Sequence, residues 1–464
     1  MNRKKDAGIL AVIIALAWPT MLEELMQTAV QYIDTAMVGS LGTKATAAVG
    51  ATSTVNWLVG STVSAIGLGF LAYISQAFGA KEADKAREAS AQAVITVLSV
   101  GLLVTALTTG LSGKIPVWMQ VDNRIQKMAS RYFLILYIPM LFRSASIIFG
   151  TVLRAAGDTK TPMRVGLAVN AINIVLNFLL IYPTRTVSVM DTSLVIPGAG
   201  WGIIGAAAAS AAAYTFGGVA ISVKFWLHRD ISPHGQSFRP NKKILKPTFR
   251  VAFPIMLQRF ATAFGYVSFA SMINSLGHVS TAAHTIANTV ESAFYIPGWG
   301  MQTAAATLAG NAWGARDEKR LLGLARVILA LEVGLMVISG GLLFLFAPAL
   351  MRLFSRDNQV IALGVIVLRM VSVSEPFYGV PIVLEGIMQG VGKTVAPFVF
   401  NLLGMWGIRI AGTYICTQLL GLGLISAWAC MIGHNMLLFF LYTVHYFTGR
   451  WNPWRYPPGG AKPA

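Results

Sequence analysis

Residues 19–42, PTMLEELMQTAVQYIDTAMVGSLG, lie in the first long apolar stretch and return at residues 254–277 as PIMLQRFATAFGYVSFASMINSLG. A shift of 235 residues places Pro19 on Pro254, Met21 on Met256, Leu22 on Leu257 and Met37 on Met272. It also places Ser40-Leu41-Gly42 on Ser275-Leu276-Gly277, but Asp34 falls on Phe269. The scaffold is duplicated and the acid is not. Further along, Gly79-Ala80 maps on Gly314-Ala315, and Gly157, Thr159 and Pro162 map on Gly392, Thr394 and Pro397. The offset is 235 in each of these blocks, without gaps.

The composition says what solvent the repeat is built for. Of 464 residues, 55% are hydrophobic and 12% charged, where soluble proteins carry about 25% charged residues. Apolar runs recur near the roughly 20 residues that cross a hydrocarbon core, and the short alternating segments of a β-barrel are not the pattern. The expected fold is an all-α polytopic membrane protein. Twelve transmembrane helices are read at about 8–38, 47–77, 88–110, 127–154, 161–183, 199–226, 248–274, 282–312, 321–348, 358–390, 394–419 and 423–447. Residues 1–227 then form an amino-terminal six-helix lobe and 248–447 a carboxy-terminal one, with a polar linker at 228–247 and a tail at 448–464. Six spans per half is an even number, so both halves enter from one side. Two six-helix bundles related by a pseudo-two-fold axis along the membrane normal follow, an arrangement that transporters use.

The net charge of +18 is placed to set topology rather than to hold nucleic acid. Arg3, Lys4 and Lys5, then Lys81, Lys85 and Arg87, then Lys160 and Arg164 gather at alternate loops. The linker holds Arg229, Arg239, Lys242, Lys243, Lys246 and Arg250, and the tail adds Arg450, Arg455 and Lys462. The opposite loops hold few. This is the positive-inside bias, with both termini cytoplasmic and the lipid bilayer as partner. Glu23, Glu24 and Asp34 make the first apolar stretch too long and too charged for a cleaved signal peptide, so a retained helix is expected. Cys416 and Cys430 lie in apolar helices and read as packing thiols. Pro139, Pro297, Pro376 and Pro381 are expected helix kinks.

An ionised carboxylate at the centre of a lipid-facing helix costs at least about 2.5–3.5 kcal/mol, so Asp34 should face an interior cavity or carry a proton. Two readings stay open: a structural acid paired within the bundle, or a site that changes protonation or binds a cation. In GLAVNAINIVLNFLLIYP, Asn173 and Asn177 share one helix face as an i, i+4 pair. They serve either helix-to-helix hydrogen bonds or direct ligation. Ser210 can add a hydroxyl. Of the other intramembrane charges, Arg259 and Glu385 are expected at similar depth as a structural ion pair. Glu291 and Glu375 sit higher, and either packing or a cavity role fits them. His284 and His434 read as hydrogen-bonded core residues. Phosphate-loop and catalytic-metal spacings do not occur in the sequence, so no enzyme, no cofactor and no built-in ATPase are expected.

Pro19, then Asp34, then VGSLGTKATAAVG resembles the first helix of the multidrug and toxic compound extrusion (MATE) family. VLRAAGDTKTP, NIVLN, GIIGAAAAS and MWGIRIAG are similar to its later motifs, so the resemblance covers nearly the whole chain. It implies a secondary exporter in a bacterial inner membrane that exchanges H+ or Na+ for a small organic, cationic compound, acting as a monomer. Asp34 falls where that family has its amino-terminal-lobe carboxylate. Asn173 and Asn177 match a polar pair, and Ser210 lies near a family hydroxyl position. Cation coupling, with Na+ one candidate at Asp34, is expected at these four residues. Carboxy-terminal acids of NorM-like members fall here on Thr262 and Tyr378. Gln31, Tyr32, Asn56, Trp57, Tyr266, Asn288, Glu291, Glu375 and Tyr378 are expected to line the substrate cavity. The alternative cargo within the superfamily, a lipid-linked saccharide moved by a flippase, would need basic residues for phosphates. The few intramembrane arginines (Arg143, Arg259, Arg369 and Arg409) disfavour it.

Overall fold

The computed structural model of the chain describes residues 3–119, 121–189 and 192–456. Lys462 and the side chains of Arg3, Lys4 and Lys5, expected on the basic face, lie outside the described residues.

Twelve membrane-length segments follow in order. They begin with α1 (Arg3–Gly39), α2 (Thr43–Gly79) and α3 (Ala83–Gly110). After the short α4 (Ile115–Trp118), the fourth span is two helices, α5 (Asn123–Tyr137) and α6 (Met140–Ala155). They meet at 49° beside Pro139, where the missing N–H and fixed φ break a helix. Next come α7 (Lys160–Ile181), α8 (Ile203–Trp226), α9 (Lys242–Asn274), α10 (His278–Gly314), α11 (Glu318–Phe354) and α12 (Asn358–Gly390). Span eleven is α13 (Val395–Leu402) and α14 (Ala411–Tyr414), interleaved with wider π-type winding at Leu403–Ile410 and Ile415–Leu419. Span twelve is α15 (Leu424–Phe447). Pro297, Pro376 and Pro381 sit inside continuous α10 and α12. Among the described residues nine of these segments are each long and apolar enough to cross a membrane, and α5 and α6 are so when taken together as one bent pair. α9 and α10 complete the twelve with more polar sequence.

The duplication extends to backbone conformations that are costly to make. Lys81 and Arg316, 235 residues apart, are the two non-glycine residues with positive φ among the described ones, at 60° and 54°. Both end a helix with the same bonds. Lys81 N–H donates to the Phe78 carbonyl and Arg316 N–H to that of Trp313, each at 3.0 Å. Glu82 N–H donates to Ala77 (2.9 Å) and Asp317 N–H to Ala312 (3.1 Å). A left-handed residue costs about 1 kcal/mol or more outside glycine, so its recurrence marks a copied turn.

The offset of 235 does not persist to the end of the chain. Pro183–Val189 (β1) and Thr192–Ala199 (β2) pair antiparallel, with Arg185 opposite Ile196. Past them, α8 opens at Ile203 and α15 at Leu424, an offset of 221 (424 minus 203). The hairpin is thus a local addition to the first repeat, and it shortens the register by 14 (235 minus 221).

In space the chain forms two compact units. One comprises Met1–Glu24, Leu71–Glu82 and Pro247–Ala464, the other Leu25–Phe70 and Ala83–Lys246. They are called here the carboxy-terminal and amino-terminal units. Pro247 opens the long stretch of the carboxy-terminal unit, and the start of α1 and the end of α2 belong with it. Within that unit Gly79 and Gly314, repeat partners, pack backbone to backbone. A Cβ on Gly79 would stand 2.0 Å from the Asn311 carbonyl oxygen, and one on Gly314 1.8 Å from that of Gln76. Gln76 and Asn311 are themselves repeat partners, so the ends of α2 and α10 cross symmetrically. In the amino-terminal unit the small residues of α8 permit the same closeness. A Cβ at Gly205 would lie 2.4 Å from the Leu180 carbonyl oxygen of α7, and one at Gly218 2.3 Å from that of Phe142 in α6. Helices in lipid associate through such contacts. The thiols of Cys416 and Cys430 are free, with sulfurs 3.9 Å apart.

Candidate cation site

Asp34 lies in the last turns of α1 and is half-buried in the amino-terminal unit. Asn177 of α7, almost fully buried, donates its amide Nδ2 to Asp34 Oδ1 at 2.6 Å and to Asn173 Oδ1 at 3.1 Å. Asn173 Nδ2 in turn donates to Ser210 Oγ of α8 at 3.1 Å. Turning the Asn173 amide over makes its nitrogen donate to both Asp34 oxygens, at 2.9 and 3.2 Å, while its oxygen accepts from Ser210 Oγ at 3.1 Å. Such an amide can serve a carboxylate or a cation by rotation, because it carries two donors and an acceptor. Asn177 Oδ1 is buried without a hydrogen-bond partner. Among the described residues no basic side chain pairs with Asp34. The four residues singled out from sequence thus form one continuous polar chain on three helices. What it offers is a carboxylate, two amides and a hydroxyl, arranged around an unused amide oxygen.

The α7 end of this site is pinned to α1. The Tyr182 hydroxyl lies 2.8 Å from Ser40 Oγ, and the Arg185 guanidinium of the hairpin sits over the Phe178 and Tyr182 rings at 4.0 and 4.4 Å. Sequence reading did not single out these residues, although TRTVSV carries the period-2 alternation of a strand.

The residues expected to line a substrate cavity divide. Gln31, Tyr32 and Trp57 are exposed. Asn56 has another role: its Oδ1 accepts from Arg143 Nη1 at 2.5 Å and from the Tyr137 hydroxyl at 3.3 Å. Arg143 also lies over the Tyr214 ring at 4.7 Å. In the carboxy-terminal unit Tyr266 and Asn288 are exposed, Glu291 and Glu375 are buried, and Tyr378 meets Tyr295 edge-on at 6.0 Å. Arg409, in the π-wound part of span eleven, covers the Phe269 and Tyr266 rings at 4.3 and 4.9 Å.

Two expectations are corrected. Arg259 forms no ion pair with Glu385 among the described residues. Glu385 is satisfied by neutral donors instead: Gln258 (3.1 Å), Gln389 (3.0 Å), Asn401 (3.3 Å) and the Tyr442 hydroxyl (3.2 Å). Four hydrogen bonds replace the counter-ion, and Arg259 is left half-exposed. His284 and His434 are not fully hydrogen-bonded either. His284 Nδ1 and both ring nitrogens of His434 are buried without partners. His284 is held by ring contacts with Phe269 and Trp428 at 5.6 and 5.8 Å, and His434 fills the space over Gly404, where a Cβ would come within 2.4 Å of it.

The family model MatE matches residues 19–179 and again residues 254–415, once in each repeat. The chain belongs to the MatE family. Members of this family are multi-pass membrane transporters and not enzymes. The probable multidrug resistance protein NorM of Thermotoga maritima is 26% identical over 439 residues, covering 95% of this chain and 92% of that protein. The probable multidrug resistance protein YpnP of Bacillus subtilis is 27% identical over 456 residues, covering 96% of each. A crystal structure of a MATE protein in complex with MaD3S superposes with a TM-score of 0.86 at 21% identity, covering 95% of both chains. That likeness carries the MatE fold of two repeated helical lobes to this chain.

Proposed function

We propose that this MatE protein is a secondary exporter of small organic, cationic compounds. It is driven by exchange for H+ or Na+, works as a monomer and sits in a bacterial inner membrane with both termini cytoplasmic. The observation that carries the ion assignment is the Asp34–Asn177 contact at 2.6 Å, made to a neutral amide and not to a basic side chain. A permanent counter-ion would hold Asp34 in one charge state. A neutral donor tolerates both a bare carboxylate and one neutralised by a cation. For Na+, the Asp34 carboxylate, the unpartnered Asn177 Oδ1 and Ser210 Oγ supply the hard oxygen donors such an ion takes. For H+, Asp34 alone suffices, and Asn177 and Asn173 then bridge the acid.

The multidrug resistance names of the relatives in Thermotoga maritima and Bacillus subtilis support an organic substrate. Alternating access requires that the ion bind the two states with different affinity, because equal affinity shifts nothing. Loss of the Asp34 charge would release the grip of Asn177 on α1, which, like α2, has residues in both units. Cargo with phosphate groups is disfavoured, since Arg143 is engaged by Asn56 and Tyr214, and Arg409 by Phe269 and Tyr266. Efflux of a cationic dye from proteoliposomes under an imposed pH or Na+ gradient tests the reading. An Asp34→Asn protein that keeps full gradient dependence would overturn it.

A further inference from the structure

Glu332 of α11 was not among the acids that sequence reading singled out, because a lone glutamate in ALEVG breaks neither the length nor the apolar run of its span. The structure buries it completely. It is 0% exposed, and both carboxyl oxygens are buried without a hydrogen-bond partner. Two glycines make its room. A Cβ on Gly298 of α10 would stand 2.6 Å from Glu332 Oε1, and one on Gly379 of α12 3.1 Å from its Cγ. Gly298 follows the helix-interior Pro297 of α10, and Gly379 lies between Pro376 and Pro381 of α12. Met336, one turn on, closes the same crossing, 2.9 Å from a Gly298 Cβ and 2.7 Å from a Gly379 Cβ.

An ionised carboxylate without a donor or counter-ion in such a place costs several kcal/mol, and the group neutralises instead. The titratable groups on the two helices packed against it do not help its anion. On α12 they are Arg369, whose guanidinium lies over the Phe344 ring, Glu375, itself 1% exposed with an unpartnered Oε2, Tyr378, and Glu385, which is held by its own neutral donors. On α10 they are His278 at its first residue, His284 against the Phe269 and Trp428 rings, Glu291 and Tyr295, and Glu291 and Glu332 both bear electrostatically on Glu375. The basic group of this region, Arg409, bears on Glu291 and is spent on two aromatic faces. An acid wedged against two glycines of proline-containing helices gains access to water whenever those helices part.

We propose that Glu332 is a proton-binding site of the carboxy-terminal unit, loaded in this conformation and emptied when the α10–α11–α12 crossing loosens. On emptying, the carboxyl O–H bond breaks, its electron pair stays on the oxygen and the proton passes to water; on reclosure the step reverses. The site stands on its own geometry and survives even if Asp34 proves not to couple transport. The test is infrared spectroscopy of the full-length protein in lipid nanodiscs, following the carbonyl stretch of protonated carboxylic acids. Glu332→Gln keeps shape and neutrality, so it should fold with little change in Tm and lose the signal of about one buried acid at neutral pH. Asp34→Asn should keep that component. As pH rises, the component should discharge in the wild type well before the protein unfolds. The proposal is overturned if the Glu332→Gln spectrum matches the wild type. It is equally overturned if the component persists until unfolding, which would make the proton a fixed part of the core. Transport by Asp34→Asn, measured separately, decides the other site.

Discussion

Phe269 stands at the repeat position of Asp34, and the Arg409 guanidinium lies 4.3 Å above its ring. The two halves therefore treat one scaffold position with opposite electrostatics. In the amino-terminal unit an acid meets amide donors, and in the carboxy-terminal unit a ring face meets a fixed cation. Asn177, which holds Asp34, has Gly412 as its repeat partner. The acid and its amide donor at this position occur in one half only.

Asp34→Asn keeps the size of the side chain and removes its charge. Dye efflux from proteoliposomes should fall about tenfold or more, near 1.4 kcal/mol of coupling, and residual transport should not respond to the gradient. Dye binding to the detergent-solubilised protein should persist, which separates lost coupling from lost folding.

Asn177→Leu removes the 2.6 Å donor to Asp34 and leaves its carboxylate short of a partner. A cost of about 1–3 kcal/mol in stability is expected, read as a lower Tm. The ion concentration for half-maximal transport should also change. Ser210→Ala, two hydrogen bonds further along through Asn173, should do less on both counts.

Gly218→Ala puts a methyl group 2.3 Å from the Phe142 carbonyl oxygen. Overpacking of this kind costs about 1–3 kcal/mol or more, and loss of monodisperse protein on size-exclusion chromatography is the expected outcome. Gly334→Ala is the matched control, with nothing within 4 Å of its Cβ. It should be neutral or stabilise by about 0.5–1 kcal/mol, because alanine favours helix.

Lys393, in the turn after α12, donates to the Arg450 and Asn452 carbonyls at 2.6 and 3.2 Å. Burial lowers its pKa to about 8. Between about pH 8 and the ordinary lysine value near 10.4 the unfolded chain binds a proton that the folded chain has released. Stability should therefore rise with pH across that window and be flat below it. Lys393→Met should abolish this slope and speed hydrogen exchange at residues 449–456, since two carbonyls lose their donor.

The frame was legible because lipid permits few backbones. Apolar runs of membrane length and a repeat at fixed offset leave little choice but two bundles of helices. The Asp34–Asn173–Asn177–Ser210 chain was legible for a related reason, since polar side chains in apolar helices must find one another. What escaped was set by contact rather than composition. Arg259 and Glu385 were paired on sign and depth, but Gln389, four residues on along the same helix, and three other neutral groups reach the acid first. Glu332 was passed over because its significance lies in two glycines on other helices, Gly298 and Gly379. The hairpin after α7 was absorbed into span ends, its alternation too short to stand out beside helices.

The crossing of Gly79 and Gly314 limits how this molecule can move. With backbone against backbone at these two glycines, neither helix can slide along the other without carbonyls colliding. Swivelling about the touching point is the displacement that costs least. The ends of α2 and α10 are joined in the manner of scissor blades at their rivet, and both copies of the repeat supply half of the pin.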